Sequence, residues 1–442
     1  MTMLFTGGTV VTMDPALGDL ARGDVLIDGD RIAAVGPDLR EHPLARGASI
    51  VDTTGRIVSP GFVDTHRHAW QAQFRRSIPD VTDLGAYVTN TLARIAPAYC
   101  PHDVYVGTRL AALSALDAGI TTMLDFSHNS RSAAHSDAAI QALLDTGIRG
   151  VHASMAPHFG DWDGQWPKDV ERLHAAHSSG LVSVRLATLA TGEISGPLLA
   201  YGPQLALVSR YLGIGVSVDA VFGESSSTAI VDWARAGLLG PHVTLIHATG
   251  LTPEAWRAIG DTGTTISLAP TSDAQIGLET AIPAVDEALA VGVRPGLSID
   301  VEVALASDMF TQMRALHTIQ RMRAVNAAYG TDAVPNRITT RDMLDFATLQ
   351  GAHTNGLGAV TGSLTPGKQA DLLVVNASDI NTMPLNDAVG TLVLGADPRN
   401  IETVLVAGVI RKSAGRLVGV DVSRLHEEVL ASRDAVLAAV SS

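Results

Sequence analysis

Short runs of consecutive apolar residues, rich in Val, Ile and Leu, recur along the middle of the chain. They read RIVSPGFVD, ITTMLDF after Gly119, IRGVHAS after Gly147, VSVRLATL, IGVSVDAV, VTLIHA, TTISLAP after Gly263 and VRPGLSI after Gly292. Between them lie stretches with apolar residues at helical spacing, several closed by Gly. Runs that are apolar at every position suit strands covered on both faces, and the intervening helices supply crossovers, so the pattern predicts a parallel sheet. Eight such units predict an α/β fold, a closed (β/α)8 TIM barrel. Helix punctuation agrees: Thr252 followed by Pro253 is an N-cap with Pro at the first helical position, and Gly119 and Gly147 stand where C-terminal caps belong. An open doubly wound sheet is the competing reading, but no G-x-G-x-x-G follows an early strand.

The texture changes at both ends. Residues 1–59 contain LFTGGTVV, DVLIDGDRIAAVG and ASIVDTTGRIVSPG, short alternating runs broken by Gly and Asp. The same texture returns over residues 361–420, in GSLTPGKQADLLVVN and IETVLVAGVIRKSAGRL. The barrel is therefore expected over residues 60–360. Residues 421–442 include VSRLHEEVLASRDAVLAAV, a helix expected to pack on the surface or on a second copy in a homo-oligomer.

Composition narrows the function classes. Among 442 residues, 46% are hydrophobic, yet no run is long and apolar enough to span a bilayer. The opening MTMLFTGGTVVTMDP has no basic segment followed by an apolar one, so nothing marks it for export and a cytoplasmic location is expected. A single cysteine, Cys100, excludes an internal disulfide framework and a thiolate metal cluster, leaving His and carboxylates as metal ligands. The net charge of -14, with no Lys/Arg-rich run, argues against a nucleic-acid partner and for a small-molecule substrate.

Candidate chemistry gathers where the apolar runs end. Val63-Asp64-Thr65-His66-Arg67-His68 closes the first run, and residues i and i+2 of a strand share a side, so His66 and His68 would both face the barrel mouth. Two imidazoles there make half of a metal site; an isolated H-x-H is also compatible with a structural pair. Ser127 and His128, His158, Asp219, His247 and Asp300 end other runs, and this fold draws catalytic groups from several strand ends. Asp300 interrupts the apolar GLSIDVEVAL, where an unpaired carboxylate is costly; a metal, a charge-assisted hydrogen bond or a salt bridge to Arg294 would account for it. His247 could equally be a core histidine bonded to a carbonyl. After the first run, Trp70, Gln71, Arg75 and Arg76 can reach a substrate, as can Gln275 after the seventh.

TGGTVVTMD, VLIDGDRIAAVG, VSPGFVDTHRH, VTLIHATGLT, APTSDAQIG, GLSID, GSLTPGKQADLLVVN and VLVAGVIRK, in this order along nearly the whole chain, resemble the amidohydrolase superfamily. The branch they are most similar to contains cytosine deaminases, adenosylhomocysteine deaminases and triazine hydrolases. The resemblance implies that the two end segments join in a small composite β-sandwich. It also implies one divalent metal ion per chain, Zn with Fe or Mn as alternatives. By the same resemblance His66 and His68 are metal ligands, His247 polarises the substrate, and Asp300 is both ligand and general base.

The fifth run departs from that pattern. The branch carries a ligand His there, followed three residues later by a Glu that shuttles protons; here Asp219 and Phe222 occupy those places. Asp219 shares a face with Ser217, so it points inward and can serve as a carboxylate ligand. The missing Glu leaves Asp300, Glu302, Glu224 or His158 as candidate proton donors. The expected reaction is metal-assisted hydrolysis of a non-peptide C–N bond, in an aminated heterocycle, an amidine or a cyclic amide. A lyase or isomerase on the same scaffold and a non-catalytic binding protein are the alternatives. His128, His158, Trp70, Gln71, Gln275 and Glu302 are the expected substrate contacts.

Overall fold

A computed structural model describes residues 1–441. The apolar runs form an eight-stranded sheet, in chain order β1 (Phe62–Arg67), β2 (Ile120–Ser127), β3 (Arg149–Ser154), β4 (Val182–Leu189), β5 (Val216–Ala220), β6 (Val243–His247), β7 (Thr265–Leu268) and β8 (Gly296–Leu297). The registered pairs from β3 to β8 are all parallel. β1 and β8 close the ring at its mouth. Arg67 and Asp300 form a parallel bridge, the Asp300 N–H donates to the His66 carbonyl at 2.9 Å, and the His68 N–H donates to the Asp300 carbonyl at 3.2 Å. Thr65 Oγ1 adds a bond to the Leu297 carbonyl at 2.9 Å. The strands that read as uninterrupted apolar runs are buried throughout β1, β2, β3 and β6, as a sheet wrapped by helices requires.

Two runs fold differently from the way they read. RIVSPGFVD is divided: Arg56–Pro60 pairs outside the barrel and only Phe62–Arg67 enters it. Gly61 makes the transfer, and a Cβ there would lie 2.1 Å from Thr121 Oγ1. VRPGLSI contributes only Gly296–Leu297, because Pro295 offers no ladder N–H and Asp300 turns away with φ +65°.

The chain ends share a second sheet of nine strands. Its spatial order is Arg416–Leu417, Val409–Ser413, Ile401–Val406, Leu372–Asn376, Arg56–Pro60, Thr2–Val10, Leu20–Asp28 and Arg31–Gly36, with Ser49–Asp52 also beside Thr2–Val10. Alternation sorts its side chains: Met3, Phe5, Val25 and Ile27 join Leu372, Val374 and Leu405 in one apolar cluster, while Leu4 and Leu26 face a second.

The described chain divides into two compact units. One holds Met1–Asp64, Leu113–Thr122 and Asp308–Val420; the other holds Thr65–Ala112, Met123–Ser307 and the residues from Asp421 onward. The expected helical tail is Val422–Ser441, in the second unit. It packs on its own chain: Val436 is buried in a cluster with Trp70 and Phe74, Gln73 donates to Ser432 Oγ at 3.3 Å, and Ser432 donates to Asp103 at 2.7 Å. Among the described residues, no helix is long and apolar enough to cross a membrane.

Candidate metal and active site

The site is built from strand ends of the second unit. His66 and His68 flank Arg67 on β1 and just beyond it, and the alternation of side chains sends the two imidazoles to one side and Arg67 to the other. His66 Nε2 and His68 Nε2 each lie 3.1 Å from the same atom, Asp300 Oδ1. His68 Nδ1 faces the Phe126 carbonyl at 3.1 Å; a carbonyl only accepts, so Nδ1 carries a proton and Nε2 is the nitrogen turned to the site. The two rings meet edge to face at 4.6 Å. Ser272 Oγ donates to the other Asp300 oxygen, Oδ2.

His247, the last residue of β6, enters from across the mouth. Its Nδ1 lies 2.7 Å from Asp273 Oδ1, while Nε2 lies 3.8 Å from both Asp219 Oδ1 and Asp300 Oδ2. Donor atoms of His66, His247 and Asp300 all fall within 4.8 Å of one another. His247 and Asp300 have φ of +64° and +65°, a left-handed backbone that non-glycine residues rarely adopt and that costs about 1–3 kcal/mol each. The surrounding hydrogen bonds hold them there, so strain is stored where the side chains must be aimed.

Burial and charge act in opposite directions on these groups. Burial pushes His66 down to about 3, and the bond to Asp300 only partly opposes it. Burial would also lower His247, but its hydrogen bond to Asp273 and the charges of Asp273, Asp300 and Asp219 outweigh this and bring it up to about 9. For Asp300, burial raises the carboxyl, yet the bonds from His66 and His68 hold it well below the usual carboxylate range. Burial raises Asp219 and Asp273.

A cavity opens beside this cluster, walled by Leu84, Val88, Leu92, Leu189, Val221 and Phe222, with His68, Tyr87, His128, His158 and Asp219 as its polar side chains along with Thr191. Of the expected substrate contacts, His128 and His158 reach this cavity, His158 with Nδ1 2.5 Å from Ser195 Oγ. Trp70 and Gln71 do not line it. They lie in a 3-10 turn, Ala69–Phe74, that leaves the strand direction, and each holds a residue that does: Trp70 Nε1 donates to His128 Nδ1 at 3.0 Å, and Gln71 Nε2 donates to Tyr87 Oη at 2.7 Å. Gly107 lets this turn sit close, since a Cβ there would come within 2.2 Å of the Trp70 carbonyl oxygen.

The remaining candidates are placed elsewhere than the cavity. Glu302 is fully buried between two guanidinium groups, 2.7 Å from Arg67 Nη1 and bonded to Arg75 Nε, and it lies outside the cavity lining as their counter-ion. Burial would raise Glu302, but Arg75 and Arg67 keep it lowered. Arg75 is thereby committed, and Arg76, Glu224 and Gln275 are exposed and lie outside the cavity lining. Asp273, from the same segment as Gln275, is the residue that reaches the site, and sequence reading missed it along with Ser272 and Tyr87.

The site suits a divalent cation that prefers nitrogen and oxygen ligands. Two imidazole nitrogens converge with one carboxylate oxygen, and Asp219 Oδ1 is buried with no hydrogen-bond partner among the described residues.

Barrel, strand-end histidines and a strand-8 aspartate together define a metal-dependent hydrolase of the barrel type. The Amidohydrolase family profile matches residues 57–411, and the chain belongs to that family, whose members of this kind act on carbon–nitrogen bonds other than peptide bonds. Among its relatives, a 5'-deoxyadenosine deaminase from Methanosarcina mazei is 25% identical, covering 98% of each chain. A 5-methylthioadenosine/S-adenosylhomocysteine deaminase from Symbiobacterium thermophilum is 28% identical over 92% of each. Among solved structures, an adenosine deaminase from Xanthomonas campestris with bound zinc superposes with a TM-score of 0.84 at 20% identity, covering 99% of this chain and 98% of that one. An atrazine chlorohydrolase from Arthrobacter aurescens TC1 complexed with zinc gives 0.81 at 21% identity, covering 97% and 99%.

Proposed function

We propose that this protein holds one zinc ion per chain and hydrolyses a C–NH2 bond on a small heterocycle, exchanging the amino group for the oxygen of water and releasing ammonia. The observation that carries the reading is the convergence of His66 Nε2 and His68 Nε2 on Asp300 Oδ1, at 3.1 Å each. Relatives named as deaminases of adenine nucleosides support it. His66, His68, Asp219 and Asp300 would hold the ion, Asp219 through its unpartnered Oδ1. When bound, the ion supplies Lewis acidity and makes water acidic enough to react near neutral pH.

The chain's own residues do the rest. Asp300 takes the proton of the attacking water at a carboxylate oxygen, and the Ser272 hydroxyl bonded to its Oδ2 holds the carboxyl in place. His247, kept charged by Asp273, directs Nε2–H at the substrate atom that gains negative charge. Asp300, having taken that proton at the reacting centre, is the group proposed to return it to the departing amine, with His158 on the cavity wall as the other candidate. The apolar wall of Leu92, Leu189 and Phe222 excludes bulk water.

The test is ammonia release by the zinc-loaded enzyme across aminated pyrimidines, purines and triazines, with elemental analysis alongside. Turnover with about one zinc per chain is expected, and Asp300→Asn should retain the fold with kcat reduced about 10²-fold or more. Phe222 at the cavity wall, where the branch carries Glu, favours the second reading of a lyase or isomerase. Substrate consumed without oxygen incorporated from labelled water would select it.

A further inference from the structure

One polar atom facing the cavity has no role in the reaction just described. His128 is 3% exposed, and its Nε2 has no hydrogen-bond partner among the described residues. The other ring nitrogen is committed. An indole N–H can only donate, so the 3.0 Å bond from Trp70 Nε1 makes His128 Nδ1 an acceptor. A ring that accepts at Nδ1 carries its proton at Nε2, so a fixed N–H donor faces the cavity. The ring cannot rotate to satisfy itself elsewhere: it stacks on His68 at 4.0 Å and 15°, and meets His158 edge to face at 5.1 Å. A buried donor left unpaired costs about 1–3 kcal/mol, which a ligand acceptor would recover.

The rest of the lining says what surrounds that acceptor. Leu84, Val88, Leu92, Leu189, Ile194 and Phe222 are apolar, and no Lys, Arg or Glu lines the cavity among the described residues. A carboxylate on the substituent remote from the reacting amino group would lie along this apolar wall with no Lys or Arg side chain to meet it.

We propose that His128, locked by Trp70 as an Nε2–H donor, reads an acceptor nitrogen on a neutral, apolar-substituted ring, and that the cavity rejects the same ring carrying a carboxylate. This deepens the hydrolase reading of the same site and rests on it for the ring's identity as substrate. His128 thereby acts as a specificity-determining contact, and Trp70 as the residue that positions it.

The experiment is calorimetric titration of the zinc-loaded protein, which needs no turnover. Three probes are used: 4-amino-6-propylpyrimidine, 3-propylaniline in which both ring nitrogens are C–H, and 3-(6-aminopyrimidin-4-yl)propanoate. The wild type should bind the propylpyrimidine about tenfold or more tighter than either other probe. In His128→Phe, which keeps a ring against His68, the pyrimidine and aniline should bind alike. Trp70→Phe, which keeps an aromatic ring but frees the His128 proton to move, should narrow the same gap. A pyrimidine preference that survives in His128→Phe, or wild-type protein that binds the propanoate as tightly as the propyl probe, overturns the proposal. Ammonia release is scored separately: its absence with the preference intact overturns hydrolysis and leaves the His128 assignment supported.

Discussion

At the scale of single residues, His247 depends on Asp273 more than on its own strand. The carboxylate 2.7 Å from Nδ1 fixes where the proton sits, and its charge helps to keep the ring positive against the pull of burial. Asp273→Asn should therefore lower kcat about 10²-fold while leaving zinc content unchanged, because Asp273 is not among the proposed ligands. Steady-state kinetics with elemental analysis checks this; an unchanged kcat would remove His247 from the chemistry. Strand parity made His66, His68 and Asp219 legible in the sequence, since alternation on a strand fixes facing. It fails past the strand ends. Asp273 and Gln275 lie in the turn Asp273–Gly277, where positions two apart fall on opposite sides, so Asp273 turns in and Gln275 out. Trp70 and Gln71 sit in a comparable turn after His68 and act through His128 and Tyr87.

At the scale of elements, the ring of strands is completed at one place, and a buried ion network sits there. Arg67 leaves β1 on the side opposite the histidines and meets Glu302, two residues beyond Asp300, which also receives Arg75. Removing one charge of such a network strands the others in a medium that solvates them poorly. Glu302→Gln should cost about 3–5 kcal/mol of stability, read as a lowered urea midpoint at constant slope. A variant as stable as the wild type would mean that the backbone bonds between His66, His68 and Asp300 close the ring without help. The eight strands were legible because runs buried on both faces leave no polar alternation. Their lengths were not: the division of RIVSPGFVD at Gly61 answers to a close approach by Thr121, and the brevity of β8 to Pro295, both set by neighbours in space.

At the scale of the whole molecule, a net charge of -14 adds to the cost of assembling the site, where Asp219, Asp273 and Asp300 lie within reach of one another's fields. Part of that cost falls on the folded state alone, since the unfolded chain leaves each carboxylate in water. A divalent ion held by His66, His68, Asp219 and Asp300 offsets the repulsion and binds only where the ligands are gathered, so it stabilises the fold by mass action. At a free concentration a hundred times its dissociation constant the contribution is about 2.7 kcal/mol. Spread over a chain of 442 residues, that is a shift of a few degrees in Tm. Chelation should therefore lower Tm by about that amount and zinc should restore it. His66→Ala and His68→Ala should each show no zinc-dependent shift, because losing one of a few ligands forfeits most of the chelate. Asp219→Ala decides the departure at β5. A shift reduced or lost marks Asp219 as one ligand among four, whereas a shift equal to the wild type's removes it from the metal and leaves it as a neighbour of His247.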